Sequence, residues 1–155
     1  MTKLAERLPG WLAEHGEPGE QLTSWISLGY ARDAGAHGKT AMDAYLASRG
    51  LDPAAEFTPY ERQAFAALTD RRVLLGKLRG FLGNKPAELL RATSLGECRI
   101  EWWDEPAPGP DKRYLLFVLG DSWYRTAAVV RKSTNADVFM AAMGPNAVNV
   151  PRPRG

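Results

Sequence analysis

The segment from Asp33 to Thr40 (DAGAHGKT) closes in Gly-Lys-Thr, as a phosphate-binding loop does when backbone amides and a lysine cradle phosphate oxygens. That chemistry also needs a glycine five residues before Gly38. Asp33 stands there instead, and its charge would repel a phosphate. The segment therefore reads as a loop at a helix end. His15 and His37 are the two histidines. Both fall in predicted loops at helix ends, where an imidazole can interact with the helix C-terminus. Neither has a recognisable orienting partner, which a general base requires. Cys98 is the single cysteine, so no intrachain disulfide can form. It opens an alternating apolar stretch, and an inert, buried thiol is expected. No cysteine or histidine cluster has metal-ligand spacing. The sequence thus assigns no catalytic residue, no metal and no cofactor.

What remains is chemistry of binding. Residues 71 to 91 carry Arg71, Arg72, Lys77, Arg79, Lys85 and Arg91 against the single acid Glu88, whereas residues 1 to 61 hold five basic and nine acidic side chains. The whole chain is only +2, so the basic segment is a local field. Such a field suits an acidic protein surface or a phosphate backbone, although arginine stems also commonly cover apolar surface with their heads in water. Trp103 and Trp123 stand on strands next to charged residues. Exposed there, they would serve as interface anchors or base-stacking platforms; covered by helices, they would be core.

The elements that position these groups follow from hydrophobic period. Leu4, Leu8, Trp11 and Leu12 recur at helical spacing despite Pro9 and Gly10. Leu22, Trp25, Ile26 and Gly29 suggest a second helix, and Met42, Tyr45 and Leu46 a third that stops at Gly50. Thr58-Pro59-Tyr60-Glu61 has the form of a capping box, with Thr58 as N-cap of a fourth helix carrying Phe65, Leu68, Leu75, Leu78 and Leu82. Pro86 can open a short further helix through Leu90. From Gly96 the period changes to two: Cys98, Ile100 and Trp102 alternate with Arg99, Glu101 and Trp103. Tyr114 to Leu119, Trp123 to Arg131 and Asp137 to Met143 complete the expected strands. Leu116, Val118, Trp102, Phe65 and Leu75 are the expected core.

The sequence-based expectation is therefore an α+β fold: an N-terminal bundle of four to five helices followed by a four-stranded antiparallel meander. A single domain is expected over 1–145, with helical half 1–92 and sheet half 96–145, and an extended tail over 146–155. With 45% hydrophobic and 25% charged residues the composition is globular, which argues against disorder. No apolar run approaches a membrane span, and the N-terminus lacks the apolar core of a signal peptide. A cytoplasmic protein with no membrane partner is expected.

Trp123 to Lys132, a short turn, then Asp137 to Met140 together resemble the terminal hairpin of phage-encoded barnase/RelE-like nuclease domains. The resemblance covers about a fifth of the chain. It implies a helices-then-sheet fold acting on RNA, but the last strand reads Ala141-Ala142-Met143 and supplies no polar catalytic residue, so none is carried over. The first expectation is a non-catalytic bacterial or phage-type regulator or inhibitor. It would bind a protein or nucleoprotein partner of acidic surface through Arg71, Arg72, Lys77, Arg79, Lys85, Arg91, Trp103 and Trp123. The alternatives are an RNA-binding or RNA-cleaving protein and a phage assembly component. In the latter, the acidic N-terminal half of one copy would meet the basic segment of another. Oligomeric state is left open.

Overall fold

A computed structural model of the chain describes residues 2–29, 35–57, 63–80 and 84–153, with the side chains of all but 35–40. Among these residues it is a mostly β protein of eight strands and three helices: α1 (Lys3–His15), β1 (Leu22–Leu28), α2 (Gly35–Arg49), β2 (Ala64–Thr69), β3 (Arg72–Arg79), β4 (Lys85–Ser94), β5 (Cys98–Glu105), β6 (Lys112–Leu119), β7 (Ser122–Val129), α3 (Ala136–Met143) and β8 (Ala147–Asn149). The first sheet is antiparallel in the order β1-β2-β3-β4, and the second runs β7-β6-β5-β8 with β8 parallel to β5. A bridge between Gly29 and Ala127 joins the two sheets at the β1 and β7 edges.

This overturns the expected helical bundle. A strand stands before residue 50, where helix was expected, and the segments read as the fourth and fifth helices are β2, β3 and β4. The physical reason is burial on both faces. Ala64, Ala66 and Leu68 of β2 face the core between the sheets, while Phe65 and Ala67 face α1. A strand covered on both sides is apolar throughout, and a short apolar run does not distinguish strand from helix by period. In β1, Ser24, Ile26 and Leu28 are buried alternately, so the apparent helical spacing of Leu22, Trp25 and Ile26 conceals a period of two. Asp137 to Met143, expected as a strand, is α3, entered through Asn135 in the left-handed conformation (φ 60°). The Thr58 capping box lies outside the described residues.

Helix α1 forms where its spacing indicates. Leu4, Leu8, Trp11 and Leu12 are buried, and the Thr2 hydroxyl accepts from the Ala5 amide at 3.1 Å as N-cap. The helix lies on the outer face of the first sheet, against Phe65, Leu74 and Leu78. Helix α2 covers the outer face of the second sheet through Met42, Tyr45 and Leu46, against Trp103 and Tyr114. Between the sheets, Ile26, Leu75, Ile100 and Phe117 pack with Phe139 and Met140 of α3. Leu116, Phe65 and Leu75 are buried as expected, whereas Trp102 and Val118 are only partly so.

Candidate functional site

The basic segment folds into strands rather than a helix, and this separates its charges. Arg71 and Arg72 stand at the β2–β3 turn, while Lys77, Arg79 and Lys85 gather near the other end of β3. Eight strand residues put these ends roughly 20 Å or more apart. Most of the charge is answered within the chain. Arg72 binds Glu20 through two bonds of 2.9 Å and approaches Glu17 at 3.5 Å. The Thr69 hydroxyl donates to the same Glu20 carboxylate at 2.6 Å. The hydrogen bond from Arg72 outweighs the opposing effect of burial and lowers the Glu20 carboxyl to about 2. Arg71 reaches the Pro18 carbonyl at 3.1 Å, and Arg79 pairs with Glu88 at 2.6 Å, with Lys77 at 3.9 Å from the same acid. The acidic loop after α1 and the basic turn thus meet in one molecule.

Trp103 and Trp123 are not exposed platforms. Trp103 is 1% exposed beneath α2, stacked on Tyr114, with Nε1 donating to Glu105 at 3.0 Å. Trp123 is 5% exposed and its Nε1 donates to the Asp52 carbonyl at 2.8 Å. A buried tryptophan ordinarily finds such a partner for its N–H.

Three polar networks pin the helices and the segment before residue 57. Glu101 sits nearly buried between Arg49, Arg99 and the Tyr45 hydroxyl, which ties α2 to β5. Burial opposes ionisation of Glu101, yet the donors from Arg49, Tyr45 and Arg99 together hold its carboxyl below the usual range. Arg113 stacks on Trp102 and pairs with Asp104 and Asp137, fixing the start of α3. Arg125 spans Asp43 and Glu56. Each of these arginines has a carboxylate.

Arg91 does not. It lies on β4 opposite Leu75, on the face turned toward the second sheet. Its Nη2 donates to the Leu119 carbonyl at 3.2 Å, and its guanidinium lies 5.7 Å from the centre of the Phe57 ring. Its Nε is buried with no hydrogen-bond partner. Among the described residues no carboxylate stands within ion-pair distance of it. The Phe57 amide donates to the Trp123 backbone carbonyl at 2.6 Å, which fixes the position of the Phe57 residue.

Arg91 lines an open cleft of about 720 Å³ formed by residues 91–94 of β4, Glu97 and the β6–β7 turn at 119–121. The Gly120 amide donates to the Glu97 carbonyl at 2.9 Å, and Gly120 takes φ +68°, a conformation that holds the turn against the end of β4. The polar lining of the cleft comprises Arg91, Thr93 and Ser94 together with the acids Glu97 and Asp121. A half-buried guanidinium without an anion, in a concavity, is suited to accept a carboxylate.

Of the binding residues singled out from sequence, only Arg91 lines this cleft. Phe57, Glu97 and Asp121 were not foreseen, because nothing local marks them. The stretch that resembles the nuclease hairpin is strand, turn and helix here. Gly35 to Thr40 form the first turns of α2, and Asp33 lies outside the described residues. No group of three or more histidine, cysteine, aspartate or glutamate side chains among the described residues could hold a metal ion. None of the described helices is long and apolar enough to cross a membrane.

No family model matches the chain, and no curated protein matches it. Among solved structures, the hSac2 domain from the human phosphoinositide phosphatase Sac2 is similar over 98% of this chain and 93% of that one, at 12% identity and a TM-score of 0.48. A likeness at that level carries no argument about function.

Proposed function

We propose that this chain is a non-catalytic binding protein, a regulator or inhibitor, that receives an acidic segment of a partner protein in the cleft at Arg91. The observation that carries this reading is that Arg91 has no carboxylate partner among the described residues and leaves its buried Nε without a hydrogen bond, in a fold whose other half-buried or buried arginines are mostly matched to carboxylates. An arginine packed against an aromatic ring, with one buried nitrogen unpartnered, has lost water without gaining an anion. A carboxylate brought by a partner supplies charge-assisted bonds there, each of the order of 1.5–3 kcal/mol.

The RNA reading draws less support. Trp103 and Trp123 are core, so neither offers a face to a base. The assembly reading rested on charge complementarity between copies, and the pairing of Arg72 with Glu17 and Glu20 satisfies that complementarity inside one copy.

The test is a paired capture experiment from cell lysate with the wild-type chain and with Arg91→Met, which keeps a long apolar stem over Phe57. A protein retained by the wild type at low salt, weakened as salt is raised and absent from the variant, supports the reading. Identical sets of captured proteins, or nuclease-sensitive RNA in place of protein, overturn it.

A further inference from the structure

The second half of β4 is an edge left open where the first half is closed. β4 ends its sheet, with β3 on one side and, among the described residues, no strand on the other. Its first half is covered: Trp11 of α1 donates its indole N–H to the Ala87 carbonyl, and Arg7 donates to the carbonyl of Asn84, just before the strand, at 3.2 Å. Pro86 and Lys85 add the usual obstacles to pairing there. From Leu90 to Ser94 no hydrogen bond from α1 or any other described residue outside β3 reaches the backbone, and Ala92 and Ser94 are exposed. This open half is the same stretch that walls the cleft.

We infer that the partner segment binds by strand addition: an extended peptide pairs its main chain with the edge of β4 over residues 90–94 and sets an aspartate or glutamate side chain against Arg91. The inference rests on the reading of the cleft given above and adds the conformation of the occupant. Main-chain pairing would provide affinity at an edge whose outward amides and carbonyls have no described partner, and the one fixed charge would provide register. The cleft is open, which admits a continuous chain rather than only a chain end. An inward-turned arginine on an edge strand has a second known use, as a guard against edge-to-edge aggregation. The experiment separates the two.

The full chain is used to select binders from a displayed library of random peptides about twelve residues long, with Arg91→Met and Arg91→Lys as counter-targets. Circular dichroism checks that both variants fold; the lysine keeps stem and charge but lacks the planar fork. Acid-containing peptides of alternating pattern are expected, binding about tenfold or more weaker to either variant. N-methylation of the best peptide at alternate amides is expected to abolish binding in one register and spare it in the other. The slowed amide hydrogen exchange that binding brings is expected over residues 90–94. Acidic peptides that depend on Arg91 but tolerate N-methylation at every amide overturn strand addition while leaving the cleft reading intact. Failure to select any Arg91-dependent peptide overturns both. Self-association of Arg91→Met, in a protein whose wild type selects no peptide, assigns Arg91 the guarding role and overturns both as well.

Discussion

Arg72 and Glu20 face each other across the β2–β3 turn in a two-bonded ion pair, with the Glu20 side chain fully shielded and that of Arg72 only 20% exposed. This contact fixes the acidic loop after α1 to the sheet that the helix covers. The Glu20 carboxyl is lowered from 4.5 to about 2, so its charged form contributes about 3 kcal/mol at neutral pH. The folded value lies below the unfolded one. The contribution is therefore complete above about pH 4.5 and is lost as pH falls toward 2. Glu20→Gln is expected to lower stability by that order at pH 7 in urea denaturation, with the two proteins converging between pH 4.5 and 2. A gap that stays constant over this range would show that the pair contributes through packing alone.

Gly76 of β3 lies opposite Phe65 of β2, and a Cβ at that position would run into the Phe65 ring. The ring is itself buried against Trp11. Gly76→Ala is expected to cost about 1–3 kcal/mol through overpacking. Adding Phe65→Leu should recover part of that loss. A double mutant less stable than the sum of the single changes would refute the steric explanation.

Leu116 is fully buried on β6, on the face that also carries Glu101 and Arg125 of the neighbouring strands. Truncation to alanine is expected to cost on the order of 2–5 kcal/mol. A denaturation midpoint equal to that of wild type would mean that this face does not pack under α2.

Cys98 is 2% exposed, and burial pushes its thiol up to about 12. The thiolate is the reactive form. At pH 8 the folded protein is expected to be inert to a thiol-specific reagent, with one equivalent reacting once denaturant unfolds the chain. Rapid labelling of the native protein would contradict the placement of β5.

The readable parts of the fold were those with a wet face or a sharp stop. β5 could be recognised because Arg99 and Glu101 interrupt its apolar positions, α1 because its four core residues share one stripe, and α2 because Gly50 ends it. β2 and β3 could not, since α1 on one side and the second sheet with α3 on the other leave no polar alternation to read. Two signals were present but ambiguous. Gly76 and Gly80 look like weak points in a helix, yet one makes room for a cross-strand ring and the other, at φ +94°, turns the chain toward β4. The site was legible in residue type and not in state. Arg91 stands out as basic, but its lack of a carboxylate depends on Phe57 and the β6–β7 turn, which only the tertiary fold brings to it. The opposite holds for Arg72, which reads the same in sequence and is fully engaged.

The measurement that bears most directly on the cleft is the Nε–H resonance of Arg91 in a nitrogen–proton NMR spectrum, assigned by its absence in Arg91→Lys and followed during titration with acetate. A saturable shift is expected for Arg91, at lower acetate than moves the exposed Arg131, while Arg72, already paired with Glu20, stays still. An Arg91 resonance that moves no further than that of Arg131 at the same acetate concentration would contradict the assignment of this cleft as a carboxylate receptor.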